Sequence, residues 1–410
     1  MTAAARNYGI VTAAYWGFTL TDGALRMLVL LHFFRLGFSP FTLAFLFVLY
    51  ELAGIFANLG GGWLATRFGV GRMLAIGLAL QVAGLLLLAM LGPDWSMAAS
   101  VAWVMAGQGI CGVAKDLTKT ASKSAIKLVA GDGAGQLFRW VAWFTGSKNA
   151  VKGAGFFVGG LLLDAVGFRG ALVAMAAVLA AVLLAVLLAL PPMLGRARAS
   201  RSLRELFAKS RGVNLLAGAR IFLFGARDVW FVVGLPVFLY AQGWGFTEVG
   251  GFLALWTIAY GAVQAAAPSL VGRSDDGLSR EVPAARWWAA ALAVVPVALA
   301  LFLAVPGGWR PDLVVVGGLA LFGVAFAVNA ALHSYLILAY AGSEKAAEDV
   351  GFYYAANAAG RLGGTLLSGL LYQTGGMFAC LAGSAAMLLA CWVITLALPT
   401  QVSARPGVAA

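Results

Sequence analysis

Met193-Leu-Gly-Arg196-Ala-Arg198-Ala-Ser-Arg201-Ser-Leu-Arg204-Glu205-Leu-Phe-Ala-Lys209-Ser-Arg211-Gly212 interrupts a chain that is otherwise 62% hydrophobic. Six of its residues are basic and one is acidic, a pattern that suits a water-exposed linker and not a membrane span. Working outward from it, six apolar stretches lie on each side, each long enough to cross about 30 Å of hydrocarbon. Those before it fall near 8–33, 41–65, 73–92, 97–117, 137–163 and 168–192; those after it near 214–240, 246–271, 284–305, 312–341, 350–372 and 376–398. The expectation is an all-α polytopic membrane protein of twelve transmembrane helices. It divides into a six-helix bundle at 1–192, a basic linker at 193–213 and a second six-helix bundle at 214–410.

Composition supports this class. The 410 residues have a mean hydropathy of +0.91 and are only 11% charged, yet the net charge is +12. Counting loops from a cytoplasmic N-terminus assigns 17 of the 28 Lys and Arg residues to the inside and three, Arg35, Arg169 and Arg310, to the outside. That bias puts both termini in the cytoplasm by the positive-inside rule. Met1–Asn7 is too short for the charged region of a signal peptide and no cleavage site follows, so the first helix is expected to be retained. No basic patch interleaved with aromatics indicates nucleic acid. Cys111, Cys380 and Cys391 are scattered, without the spacing of a disulfide framework or a metal site. Two histidines, His32 and His333, leave little material for a histidine-based membrane enzyme, and no cofactor motif is present.

Eight cations remain inside or at the edges of the apolar runs: Arg26, Lys115, Arg139, Lys148, Lys152, Arg220, Arg227 and Arg361. Their acidic partners at similar depth are Asp22, Glu51, Asp116 and Asp228. A charge at the centre of a membrane helix costs roughly 2.5–3.5 kcal/mol on insertion scales, so each needs a compensating role. A water-filled cavity that binds a multiply charged anion supplies one.

The cations repeat between the halves. Asp22 lies 15 residues after Asn7 and Asp228 lies 14 after Asn214; Arg26 follows Asp22 by one turn, and Arg227 adjoins Asp228. Span five carries Thr145, Lys148 and Lys152 on one stripe beside Asn149, and span eleven carries Tyr354, Asn357, Arg361, Thr365 and Ser368. Two opposed cationic faces would clamp an anion from both sides, Arg by its fork and Lys as a compact charge. Lys115, Lys119, Lys123 and Lys127 form a ladder towards the cytoplasm; for the last two a positive-inside helix end is the plainer reading. Asp22 with Arg26, or Arg227 with Asp228, could equally be self-satisfied structural pairs. Arg139 and Arg220 sit where a long side chain can snorkel to water. Glu51 reads as a proton site or a packing hydrogen bond. His333, one turn after Asn329, reads as a titrating group or a satisfied buried histidine.

The loop after span two, Gly62-Trp-Leu-Ala-Thr66-Arg67-Phe-Gly69-Val-Gly71-Arg72, resembles the G-x-x-x-D-R-x-G-R-R gate signature of the major facilitator superfamily, with Thr66 in place of the usual acid. Gly155-Phe-Phe-Val-Gly159-Gly160 resembles the core of that superfamily's antiporter motif, with Phe156 where proline is usual. The stretches Ala14–Arg26, Ala114–Lys119, Ser122–Lys127 and Thr145–Ala150 are similar to the organoarsenical efflux permeases, the ArsJ branch of the superfamily, and the likeness extends over essentially the whole chain.

That resemblance implies export of 1-arseno-3-phosphoglycerate, made in the cytoplasm by a glyceraldehyde-3-phosphate dehydrogenase that uses arsenate in place of phosphate. It implies arsenate resistance, proton-coupled antiport across the bacterial inner membrane, and a functional but not necessarily physical partnership with the dehydrogenase. On this reading Arg26, Lys115, Lys148, Asn149, Lys152, Arg227, Tyr354, Asn357 and Arg361 bind the anion. Asp22, Asp228, Asp116, Glu51 and His333 are the candidates for proton coupling, Asp22 and Asp228 first. Gly62, Arg67, Gly69 and Arg72 form the gate motif. The rival readings are an organophosphate or phosphoglycerate carrier of the same superfamily and a membrane-embedded enzyme, for which no nucleophile, base or metal cluster stands at suitable spacing.

Overall fold

The computed structural model describes residues 3–129, 134–190, 210–271, 274, 277–305, 310–341 and 346–400, with the side chains of 3–5, 60–68, 123–129, 134–146, 268 and 346–348 excepted. The side chains of Arg67, Lys123, Lys127, Arg139 and Thr145 and the surroundings of Gly62 therefore lie outside what is described, as does the linker up to residue 209. The expected linker is shorter at its far end: Ser210 caps the next helix by accepting from the Val213 N–H at 3.3 Å, so Arg211–Val213 are already helical.

Among the described residues every regular element is a helix. In chain order these are α1 (Ala3–Arg35), α2 (Pro40–Phe45), α3 (Val48–Phe68), α4 (Val70–Ala89), α5 (Met97–Val129), α6 (Ala134–Ala189), α7 (Arg211–Phe231), α8 (Gly234–Ala241), α9 (Phe246–Leu270), α10 (Glu281–Ala304), α11 (Pro311–Tyr340) and α12 (Ala346–Leu396). Ten helical segments among the described residues are long and apolar enough to cross a membrane. Two of them hold two crossings each. α6 is 56 residues long, about 84 Å if straight, far beyond one bilayer. It breaks at Gly167 (φ 70°), a left-handed conformation that glycine adopts at no steric cost. α12 breaks at Gly375–Gly376, where Gly376 has φ 62°. Both breaks fall where the apolar pattern separates adjacent spans, so the twelve expected crossings are all present. An even number of crossings brings the start of α1 and the end of α12 to the same side.

Two expected spans are interrupted. Span two is split into α2 and α3, and span seven into α7 and α8. At the second break the Val233 and Gly234 N–H groups both donate to Ser368 Oγ of α12, at 3.2 and 3.0 Å, so α12 satisfies these two amides.

Packing follows the same plan twice. α1 lies against the first crossing of α6, where a Cβ on Gly155 or Gly159 would strike the α1 backbone at Leu20 or Ala24. α7 lies against the first crossing of α12, where a Cβ on Gly360 or Gly364 would strike Ile221 or Gly225. Close backbone contact through small residues drives association where no hydrophobic effect operates between helices. The equivalence of spans one and five with seven and eleven is thus visible in the contacts.

The two sets of spans meet along two seams. α6 lies on α9 through Gly153, Gly160, Gly250 and Gly261, with Thr247 Oγ1 donating to Asp164 Oδ2 at 2.6 Å. α12 lies on α2 and α3, where Gly369 abuts Pro40 and Ala44 and the Phe41 N–H donates to Gln373 Oε1 at 3.2 Å. At the last turn of α1, Phe34 meets the Tyr240 ring of α8 at 5.5 Å, and Tyr240 stacks on Phe246 at 4.9 Å.

Candidate functional site

The glycine contacts set the site. Because Gly155 lets α6 touch α1, Lys152 is carried to the level of Asp22 and Arg26; because Gly360 and Gly364 let α12 touch α7, Arg361 is carried to Asp228. The α12–α3 seam then brings the two groups together. Arg26 donates through Nη2 to Glu51 Oε1 at 2.7 Å, and Arg361 donates through Nη2 to the same oxygen at 2.6 Å. Glu51 is 1% exposed, so one buried carboxylate oxygen joins α1, α3 and α12. Arg361 Nε also reaches Asp228 Oδ2 at 3.2 Å, and Arg227 Nε reaches Asp228 Oδ1 at 2.7 Å.

This corrects the expected pairing of Arg26 with Asp22. The shared helical face is real, but Asp22 instead accepts from Tyr50 Oη at 2.6 Å while Arg26 turns to Glu51. Glu51, read from the sequence as a proton site or a packing hydrogen bond, accepts hydrogen bonds from two other helices and carries two ion pairs. Tyr50, which periodicity alone did not single out, organises the next layer: Lys115 Nζ sits 3.8 Å over its ring, and the Arg26 guanidinium lies 5.7 Å from it. Lys115 is also 3.7 Å from Asp116, which Lys119 holds at 2.5 Å while donating to Asn58 at 3.0 Å. The four-residue ladder makes Lys119 only a rung; its spacing of three from Asp116 is the signal for this pair.

Lys152 makes no ion pair among the described residues, although the charges of Arg361, Asp22, Arg26 and Lys115 act on it. It lies 5.9 Å from the Phe156 ring. Lys148 is half-buried one turn away. Arg26, Arg227 and Arg361 are 12–17% exposed while their carboxylates are 1% exposed, so the cations line the open side of the cluster. A small anion entering there meets guanidinium and ammonium groups before it meets acids.

Other candidates lie elsewhere. Asn149 faces α9, donating to Gln264 Oε1 at 3.3 Å, and so belongs to the seam between the two sets of spans. Asn357 accepts from Arg220 Nε at 2.9 Å, and Tyr354 packs on the Tyr353 ring at 5.4 Å. Arg220 does not snorkel: it is 4% exposed, with its guanidinium 3.9 Å from the Phe224 ring. His333 is fully buried, and neither ring nitrogen has a hydrogen-bond partner, contrary to the satisfied-histidine reading. His32 stacks on Phe168 at 4.1 Å. Gly69 takes φ 81° to start α4, and Arg72 is exposed just beyond it. The three cysteines are buried free thiols, and no His, Cys, Asp and Glu cluster fit for a metal occurs among the described residues.

A model of the Major Facilitator Superfamily matches residues 9–362. No curated protein matches the chain. Among solved structures it is similar to a POT family transporter in complex with 5-aminolevulinic acid, at 12% identity and a TM-score of 0.72 over 95% of each chain. It is also similar to the nucleoside transporter NupG, at 15% identity and a TM-score of 0.72, covering 97% of this chain and 100% of that one. A proton dependent oligopeptide transporter gives 14% identity and a TM-score of 0.66, covering 96% and 98%. At these identities the likeness establishes a common fold.

Proposed function

The chain belongs to the major facilitator superfamily and is a multi-pass secondary transporter, and from that premise we propose that it exports a small organoarsenical anion, 1-arseno-3-phosphoglycerate, conferring resistance to arsenate. The observation that carries the anionic part of this reading is the cluster of Arg26, Lys115, Lys152, Arg227 and Arg361 around Glu51 and Asp228. The arsenical part comes from the resemblance of Ala14–Arg26, Ala114–Lys119, Ser122–Lys127 and Thr145–Ala150 to the organoarsenical permeases. Both termini and the linker face the cytoplasm of the inner membrane, by the charge bias of the loops. The two bundles, the first up to residue 192 and the second from the start of α7, rock about the site between them, and the substrate is supplied by a glyceraldehyde-3-phosphate dehydrogenase.

A coupling step is part of this reading. Glu51 binds Arg26 on its own side and Arg361 on the other, so this ion pair ties the two bundles together. An anion that takes both arginines replaces Glu51 as their partner and dissolves the tie. Proton exchange at Asp22, whose described partner is the Tyr50 hydroxyl and not a cation, then restores the empty carrier for its return. The gate motif at Gly62, Arg67, Gly69 and Arg72 closes the same cytoplasmic side.

Inside-out vesicles holding the purified transporter, given the dehydrogenase, glyceraldehyde-3-phosphate, oxidised nicotinamide cofactor and arsenate, test the proposal. Arsenic uptake that requires every component supports it. A second reading, carriage of phosphoglycerate itself, follows from the cluster's chemistry, since guanidinium and ammonium groups hold arsenate and phosphate oxyanions alike. Uptake of phosphoglycerate regardless of arsenate would favour that reading.

A further inference from the structure

Beyond the Glu51 cluster, α7, α11 and α12 enclose a second cation in an unusual setting. Arg220 is 4% exposed and has no carboxylate partner among the described residues. Its Nε donates to Asn357 Oδ1 at 2.9 Å and its Nη1 to the Ala330 carbonyl at 3.3 Å, while the rings of Phe224 and Tyr353 flank the guanidinium at 3.9 and 4.9 Å. A guanidinium has five N–H donors. The Nη2 pair makes no hydrogen bond among the described residues. These neutral contacts orient the group without neutralising it, and a buried charge held this way calls for a counter-ion.

The neighbours are unsatisfied in a complementary sense. His333, one turn beyond the Ala330 carbonyl that Arg220 touches, is fully buried with both ring nitrogens unpartnered. A neutral imidazole has one donor and one acceptor. Asn329, one turn before it on α11, leaves Oδ1 open. Guanidinium and imidazole donors beside a carboxamide acceptor would suit an oxyanion carrying a neighbouring hydroxyl. The spacing Arg220-Phe224-Arg227 puts both arginines on one face of α7, and both guanidiniums contact the Phe224 ring, at 3.9 and 5.1 Å. The second setting is therefore next to the first but does not share its acids.

We propose that Arg220, with His333 and Asn329, forms a second anion subsite that takes the far carboxylate, phosphate or arsenate group of a cargo whose other end is held by Arg26 and Arg361. This rests on the reading of the chain as a carrier of small anions, but not on arsenic. Selectivity for a cargo charged at both ends then arises from Arg220.

Calorimetric binding to the purified full-length chain, with 3-phosphoglycerate as the doubly anionic probe and glycerol 3-phosphate as the singly ended one, tests the subsite. The wild type is expected to prefer 3-phosphoglycerate by roughly tenfold or more, the scale of one charge-assisted contact. Arg220→Gln should abolish that preference while retaining glycerol 3-phosphate binding; His333→Gln should reduce it, and Arg220→Lys should keep part of it. A folded Arg220→Gln variant that keeps the full preference, even at a lowered melting temperature, makes Arg220 a structural clasp and overturns the proposal. If Arg220→Gln does not fold, an unchanged preference in both His333→Gln and Arg220→Lys overturns it as well. Wild-type binding of both probes without preference sinks the subsite and leaves the anion carrier standing. Binding of neither probe removes the anion-carrier reading and this proposal with it.

Discussion

Glu51→Gln separates competition at the arginines from mere support of them. The substitution keeps shape and volume but removes the charge that Arg26 and Arg361 share through one oxygen, at 2.7 and 2.6 Å. At about 4 Å between charge centres and an effective dielectric near 20, each attraction is on the order of 4 kcal/mol. A cargo anion in the wild type must displace both; in the variant it displaces only a neutral amide. If a third of one attraction is recovered, about 1.4 kcal/mol, the anion binds tenfold more tightly. Transport should fall at the same time, because the tie between the bundles cannot reform after release. The assay pairs calorimetric binding of 3-phosphoglycerate with vesicle uptake on the same protein. Weaker binding by a folded Glu51→Gln protein would show that Glu51 positions the arginines and does not compete for them, and would refute the displacement step.

Three further outcomes are expected. Asp22→Asn should flatten the pH dependence of vesicle transport while sparing binding; an unchanged pH profile would remove Asp22 from proton coupling. Lys152→Gln should weaken anion binding by about tenfold with a melting temperature near that of the wild type, since no buried partner is orphaned by the change; a large loss of stability would mark Lys152 as structural. Replacing Cys111, Cys380 and Cys391 together by Ala should leave organoarsenical uptake intact, because pentavalent arsenic is an oxyanion and the thiols are buried; lost uptake in a folded protein would implicate a thiol ligand.

The fold was legible because it rests on composition over long windows. Runs of apolar residues set the crossings, and the basic stretch before Ser210 divides them. The breaks within spans two and seven were not legible, since a break costs little in sequence when another helix supplies its hydrogen bonds, as Ser368 does for Val233 and Gly234. Within the site, helical spacing brought out Lys152 and Arg361 because each stands on a polar stripe beside glycines. Partner choice was not readable. Arg26 lies one turn from Asp22 and yet pairs across to Glu51, a residue 25 positions away, because Tyr50 already occupies Asp22. Arg220 was misjudged by depth: counting from a helix end says how far a side chain is from water along the axis, not which neighbours enclose it. Its spacing to Phe224 and Arg227 was the sign that it faces inward.

The α6–α9 seam has a mechanical meaning. Where Gly153, Gly160 and Gly250 meet the backbone of the opposing helix, little side-chain interlocking has to be undone when one helix turns on the other, and the Asn149–Gln264 and Thr247–Asp164 hydrogen bonds are the contacts to release. Such a surface works as a bearing: it keeps two bodies in contact through a rotation without a ratchet of interlocked teeth, so the barrier to motion is left to the charges elsewhere. Control of the cycle can then reside in a few arginines and carboxylates, while the rest of the boundary only has to stay smooth.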